Sequence, residues 1–487
     1  MNNFLNSLID ETNFARTENG ALTHVTTKNN ILDMFALCGA YRNRSEEDCI
    51  TMFKEALAEN VSLAMKCLFY LADCRGGQGE RRFFRVCFHW LANECPDVAR
   101  RNLELIPVYR RWDDVLYSCK DTPVMEDALA FIKKQLLLDI ESKTPSLLAK
   151  WLPSENASAR ETKQMGNIVR TYLGFTHKQY RKALSELRSR INIVEKLMSE
   201  NRWEEIEFDK IPSRAGFIYK NAFARRDIIA KKYEDFAKDK NTTVNASVLT
   251  PVDIADKALQ CYLNQQDPKR LMIQKYWDNL PNYYGDKKEN AIAVVDVSGS
   301  MCGLPMSAAV GLGAYVAEKS SGDFANYFIT FSSRPALVKF QGTDIVDKMQ
   351  RCMRADWGYN TDIEKVFNLL LKTAVKNNTP ASDMPSRLYI FSDMEFDEGC
   401  FGYAISRSDK NTLFENIAKE WKRYGYELPQ LIFWNLDARH NNIPALNGRY
   451  AYVSGFSPSM IECILSGKDG WDLCLEKLLS ERYEPVG

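Results

Sequence analysis

Chemistry in this chain concentrates where a run of apolar residues meets oxygen donors: Ala291-Ile292-Ala293-Val294-Val295 leads directly into Asp296-Val297-Ser298-Gly299-Ser300. Five apolar residues in a row, three of them β-branched, predict a strand buried on both faces of a parallel sheet. Its polar tip then lies at the carboxyl end, where open α/β sheets bind ligands. Asp296, Ser298 and Ser300 alternate, so their oxygens can point to one place, and a hard cation suits such donors. Alone, the pattern is also what a capped turn looks like. Two later stretches raise its weight: Thr361, in the loop Trp357 to Asp362 ahead of a helical pattern over Ile363 to Asn377, and Asp393, ending the second buried-type strand Arg387 to Ser392.

The elements that must position these donors follow from periodicity. Residues 1 to about 285 repeat apolar residues at helical spacing, as in Asn30 to Ala40, Glu46 to Ala58, Ser62 to Cys74 and Arg81 to Ala92. They predict a HEAT-like helical-repeat array, mainly α, that could close into a ring, although no strict period is present. Pro281 and Gly285 mark a short junction. From 286 to 487 strands alternate with helices, predicting a parallel Rossmann-like sheet with a short antiparallel edge at Ala336 to Phe340. The division is thus 1 to 285 and 286 to 487.

The 487 residues imply more than one domain, and 45% apolar with 26% charged residues is ordinary for a soluble globular chain. Lys plus Arg equals Asp plus Glu at 64 each, so total charge neither selects nor excludes nucleic acid. Thirteen cysteines, scattered and odd in number, read as reduced core thiols. Four dispersed histidines supply neither a zinc centre nor a histidine triad. No run approaches the roughly 20 apolar residues that span a bilayer, and the amino terminus lacks a secretory pattern, so a cytoplasmic, non-membrane protein is expected, as a monomer.

Two basic stretches call for phosphate or acid. Between two helical patterns, Arg75-Gly76-Gly77-Gln78-Gly79-Glu80-Arg81-Arg82 could touch phosphate, but a tight turn with arginines paired to acids is favoured. Tyr109 to Asp114 interrupts another pattern, with Asp113 expected to cap the helix that follows and Trp112 expected in the core. Residues 151 to 240 carry 19 Lys and Arg against 13 acids. Arg160, Lys163, Arg170, Arg181, Lys182 and Arg188 are the candidate RNA contacts there, against a plain solvated helix surface.

The donor set Asp296, Ser298, Ser300, Thr361 and Asp393 resembles the metal-ion-dependent adhesion site of von Willebrand factor A domains. That resemblance implies Mg2+ or another divalent cation held by the first four, with Asp393 direct or through water. Joined to a helical half, the whole chain resembles the Ro autoantigen type of RNA-binding protein. The stretches Asn19-Gly20-Ala21-Leu22, Arg75 to Arg82, Arg111-Trp112-Asp113-Asp114, Lys150-Trp151-Leu152-Pro153-Ser154 and Ile211-Pro212-Ser213 are most similar to an uncharacterised relative of that type found in plants, phages and large viruses. The implied function is a non-catalytic ribonucleoprotein holding structured, misfolded or small non-coding RNA. In that type the first helices, here near Phe4 to Phe14 and Ile31 to Ala36, would meet the second domain. The alternatives are a scaffold whose protein partner donates an Asp or Glu to the metal and, less favoured, a metal-assisted hydrolase.

Overall fold

The computed structural model describes residues 8, 11–191, 194–331, 334–354, 362–398, 411–446 and 448–487. Its helical half runs from the helix Asn30–Leu37 to the helix Pro268–Asp278. These segments are helical for local reasons. Glu46–Glu59 begins on a reciprocal cap between Ser45 and Asp48, and its Cys49, Met52, Phe53 and Ala56 form the buried stripe. Similar reciprocal caps, Thr176 with Gln179 and Thr250 with Asp253, start His177–Arg190 and Pro251–Leu259.

The helical half is not purely helical. A hairpin of β1 (Phe14–Arg16) and β2 (Leu22–His24) precedes the first of these helices, so Phe14 lies in a strand where a helix was expected. Three-residue strands fall below the length at which an alternating pattern can be read. Phe4 lies outside the described residues.

Beyond the junction, β3 (Ala291–Val295), β4 (Tyr327–Thr330), β5 (Leu337–Lys339), β6 (Arg387–Ser392), β7 (Gln430–Asn435) and β8 (Tyr450–Ser454) form one mixed sheet in the order β5-β4-β3-β6-β7-β8. All neighbours are parallel except β5, the antiparallel edge. Every residue of β3, β7 and β8 is buried, as continuous apolar strands covered on both faces require. The chain leaves β3 toward β4 on one side and returns to β6 on the other, which places the topological switch point between the carboxyl ends of β3 and β6.

Both ends of the helical half are tied to this sheet. At one end the helix Leu304–Lys319 packs against Pro251–Leu259 through Gly311, where a Cβ would lie 2.9 Å from the Pro251 carbonyl oxygen. The junction is pinned as well, since the Tyr315 hydroxyl donates to the Pro281 carbonyl over 2.6 Å. At the other end Gly39 fits against Ser454 of β8, whose hydroxyl donates to the Phe35 carbonyl and accepts from the Gly39 amide. Ile31 to Ala36 thus meets the sheet half as expected.

Candidate functional site at the carboxyl ends of the strands

The register sets Val295, Phe391 and Trp434 side by side, so the residues that follow them emerge at one level. Asp296 is fully buried. Its Oδ1 accepts from the Ser298 amide over 2.9 Å and its Oδ2 from the Ser392 hydroxyl over 2.7 Å. The hydroxyl oxygens of Ser298 and Ser300 lie 3.1 Å apart. On the next strand, Asp393 Oδ2 accepts from Arg439 Nη2 over 2.8 Å and Oδ1 from the Glu395 amide over 3.1 Å.

The wall of this crevice comes from the far end of the chain. The β1–β2 turn lies over residues 395 to 398: Thr17 Oγ1 donates to the Phe396 carbonyl, the Glu18 amide to Glu395 Oε2, and Asn19 Nδ2 to the Glu395 carbonyl. Glu18 in turn pairs with Arg439 at 2.8 Å. His440 Nδ1 sits 2.8 Å from Glu395 Oε1, and ligand atoms of Glu18, Glu395 and His440 all fall within 4.8 Å of one another, a second group with metal-binding chemistry at the same mouth.

Among the described residues the crevice is short of positive charge. Asp296, Asp393 and Glu395 are buried, and Arg439 is the guanidinium bonded to Asp393. Burial, reinforced by the neighbouring Asp393, pushes the Asp296 carboxyl up to about 7. Burial also works against the Arg439 charge, but Asp393, Glu18 and Glu395 outweigh it and hold that guanidinium above its ordinary value.

Asp296, Ser298, Ser300 and Asp393 are therefore brought together, whereas Thr361 lies outside the described residues. Sequence reasoning missed Glu18, Ser392, Glu395, Arg439 and His440. Glu395 had a signal, continuing the alternation from Asp393, and Arg439 and His440 follow a strand end as Asp393 does. Glu18 had none, because only the fold brings residue 18 to residue 395.

The six basic candidates do not form one surface. Arg160 and Lys163 are exposed on Arg160–Leu173, and Arg181 and Lys182 on His177–Arg190. Arg170 is instead bonded to Glu155 and the Phe175 carbonyl, and Arg188 to the carbonyls of Ala149 and Leu152. These two guanidiniums satisfy helix-end acceptors, a role that helical spacing cannot distinguish from phosphate binding. In the Arg75 to Arg82 loop the paired-arginine turn is observed, with Arg81 bridging to Asp113 and Asp114. The carboxylate that accepts from the Arg111 amide at the next helix start is Asp114, not the expected Asp113.

The comparisons with known proteins bear on the whole chain. Residues 17–121 and 144–293 match the family model described as Domain of unknown function (DUF2828), and residues 290–481 match Domain of unknown function (DUF7788). An uncharacterized protein of Acanthamoeba polyphaga mimivirus is 30% identical over 504 aligned residues, covering 94% of this chain and 85% of its own length. Neither model is that of the Ro type or of a von Willebrand factor A domain, which corrects the resemblance drawn from the sequence. That resemblance rested on a handful of oxygen donors at strand ends, and any α/β sheet with a switch-point crevice can present them. The stretches quoted for it have their own structural reasons: Asn19 holds Glu395, and the carbonyls of Leu152 and Pro153 accept from Arg188 and Tyr180. The chain belongs to the DUF2828 family, and its sheet-bearing half is matched by DUF7788.

Proposed function

We propose that this is a non-catalytic docking protein in which the crevice holds one divalent cation, Mg2+ first among them, and through it an acidic group of a partner macromolecule. In this reading the sheet half is Rossmann-like and the helical half a HEAT-like scaffold. The carrying observation is the pair of buried carboxylates, Asp296 and Asp393, of which only Asp393 is bonded to a guanidinium among the described residues, beside two serine oxygens 3.1 Å apart. Adjacent ligands of an octahedral Mg2+ with bonds of about 2.0 to 2.1 Å stand about 2.9 Å apart, so Ser298 and Ser300 fit one edge of such a shell. Asp296 and Asp393 each retain acceptor capacity beyond the bonds described. Neutral hydroxyl donors leave the ion's positive charge available to an incoming carboxylate.

The test is calorimetric titration of Mg2+ and Mn2+ into the full chain and into Asp296→Asn and Ser298→Ala/Ser300→Ala. Saturable heat in the parent that is lost in both variants is expected. Equal heats in all three remove the cation from this crevice. Turnover of phosphoester or peptide substrates that disappears in Asp296→Asn would replace docking by metal-assisted hydrolysis.

A further inference from the structure

A second charged region, remote in sequence from the crevice, is built in the opposite sense. Arg81, Arg85, Arg110 and Arg111 converge on two carboxylates, Asp113 and Asp114. Four guanidiniums on two acids leave an excess of two positive charges. Arg110 is spent inside, donating also to the Ala72 and Gly79 carbonyls, but Arg81, Arg85 and Arg111 keep about a third of their side chains in solvent. Aromatic rings brace two of them: Arg85 lies 4.7 Å from the centre of the Tyr117 ring and Arg111 4.2 Å from that of Trp151. The Nε and Nη2 groups of Arg85 and Arg111 are bonded to Asp113 and Asp114, and stacking on a ring leaves the Nη1 group of each in plane for a phosphate oxygen.

The surface continues into a cleft of more balanced charge, where Lys150, Arg181, Arg188 and Lys196 face Glu155, Glu195 and Glu200. Lys150 stands 5.6 Å from the Trp151 ring centre and lines a cleft of about 530 Å³ together with Tyr180, Arg181, Ser185 and Glu195. Arg181 is exposed, its Nε donating to the His177 carbonyl. Glu195 supplies the second signal. Its Oε1 faces Lys150 and Tyr219, while its Oε2 is out of contact with solvent and has no hydrogen-bond partner among the described residues. The carboxylate as a whole still lines the cleft, so an occupant that brings an N–H or O–H suits it.

We infer that the track Arg81–Arg85–Arg111–Lys150–Arg181 binds single-stranded nucleic acid, its phosphates along the guanidiniums and one nucleotide in the cleft, donating to Glu195. A phosphodiester chain carries charge at every unit, matching cations spread over three helices and the start of a fourth, and each nucleotide also offers ribose hydroxyl or base amino donors. Acidic side chains match the cations but bring no such donor. The surface is distinct from the sequence-based one at 160 to 190, sharing Arg181 with it.

The experiment is fluorescence anisotropy of labelled single-stranded RNA with the full chain in EDTA, which isolates this surface from any cation in the crevice. Arg181 touches no carboxylate among the described residues, and Arg181→Glu is expected to weaken binding at least tenfold. Arg85→Gln/Arg111→Gln should do the same and lower the magnitude of the log K against log salt slope by about 1.4, at roughly 0.7 per lost phosphate contact. Glu195→Gln should change affinity without changing that slope, and the exposed Lys372→Glu on the sheet half should change neither. If the arginine pair disturbs folding, Arg181→Glu and Glu195→Gln still decide. RNA binding equal in Arg181→Glu and the parent, or polyglutamate displacing RNA at equal charge concentration and showing the same Glu195→Gln response, overturns the proposal.

Discussion

The two charged regions use the same residue types and reach opposite balances. Around Asp114, burial alone would raise the carboxyl, but Arg110, Arg85 and Arg81 outweigh burial and hold it below its ordinary value. Around Asp296 burial wins, aided by Asp393, because the guanidinium nearby is committed to Asp393. A buried acid is therefore not informative by itself. The ratio of cations to acids around it decides whether the site is complete, invites an anion, or invites a cation.

The sharpest way to break this comparison is to remove the acid from the cation-rich side. Asp114→Ala strands Arg110, whose side chain is 5% exposed, and should cost about 3 to 5 kcal/mol in denaturant unfolding. A loss within about 1 kcal/mol would mean that Arg110 finds water and that the cluster is not electrostatically closed.

A buried cation with no acid bonded to it among the described residues marks the limiting case. Lys220 donates to the Phe217 carbonyl, and burial, with Lys257 nearby, lowers it from 10.5 to about 8. The unfolded chain then binds more protons than the folded one between these values, so stability rises with pH from about 8 to 10.5. The effect is about 2 kcal/mol after allowance for screening, and Lys220→Met should flatten it in unfolding curves compared across that window. A parent slope equal to that of the variant would show that Lys220 is solvated.

On the cation-poor side, Mg2+ at ten times its dissociation constant should stabilise the parent by about 1.4 kcal/mol and Asp296→Asn not at all. Thermal unfolding with and without the ion reads this directly, and an equal shift in both would place the binding elsewhere. The smallest effect concerns the wall of the crevice. Thr17→Val removes the hydroxyl that donates to the Phe396 carbonyl and accepts from the Ala21 amide, and should cost about 1 kcal/mol. Hydrogen exchange should then rise locally at residues 14 to 24; unchanged protection there would detach the hairpin from the crevice.

What the sequence determined by itself is local. Periods of 3.6 and uninterrupted apolar runs placed the helix Ile363–Asn377 and the strands β3 and β6 closely, because burial on one helical face or both sheet faces leaves a direct trace in residue order. Asp296, Ser298, Ser300 and Asp393 were legible for the same reason, each standing where a buried strand ends. Only the tertiary structure decided what surrounds them. That Glu18 walls the crevice, that Arg439 neutralises Asp393, and that Arg170 and Arg188 satisfy backbone carbonyls all depend on contacts between residues far apart in the chain or on which acceptor a long side chain meets. Charge balance is a property of a volume, and residue order records it only where the chain happens to fold back on its own neighbours.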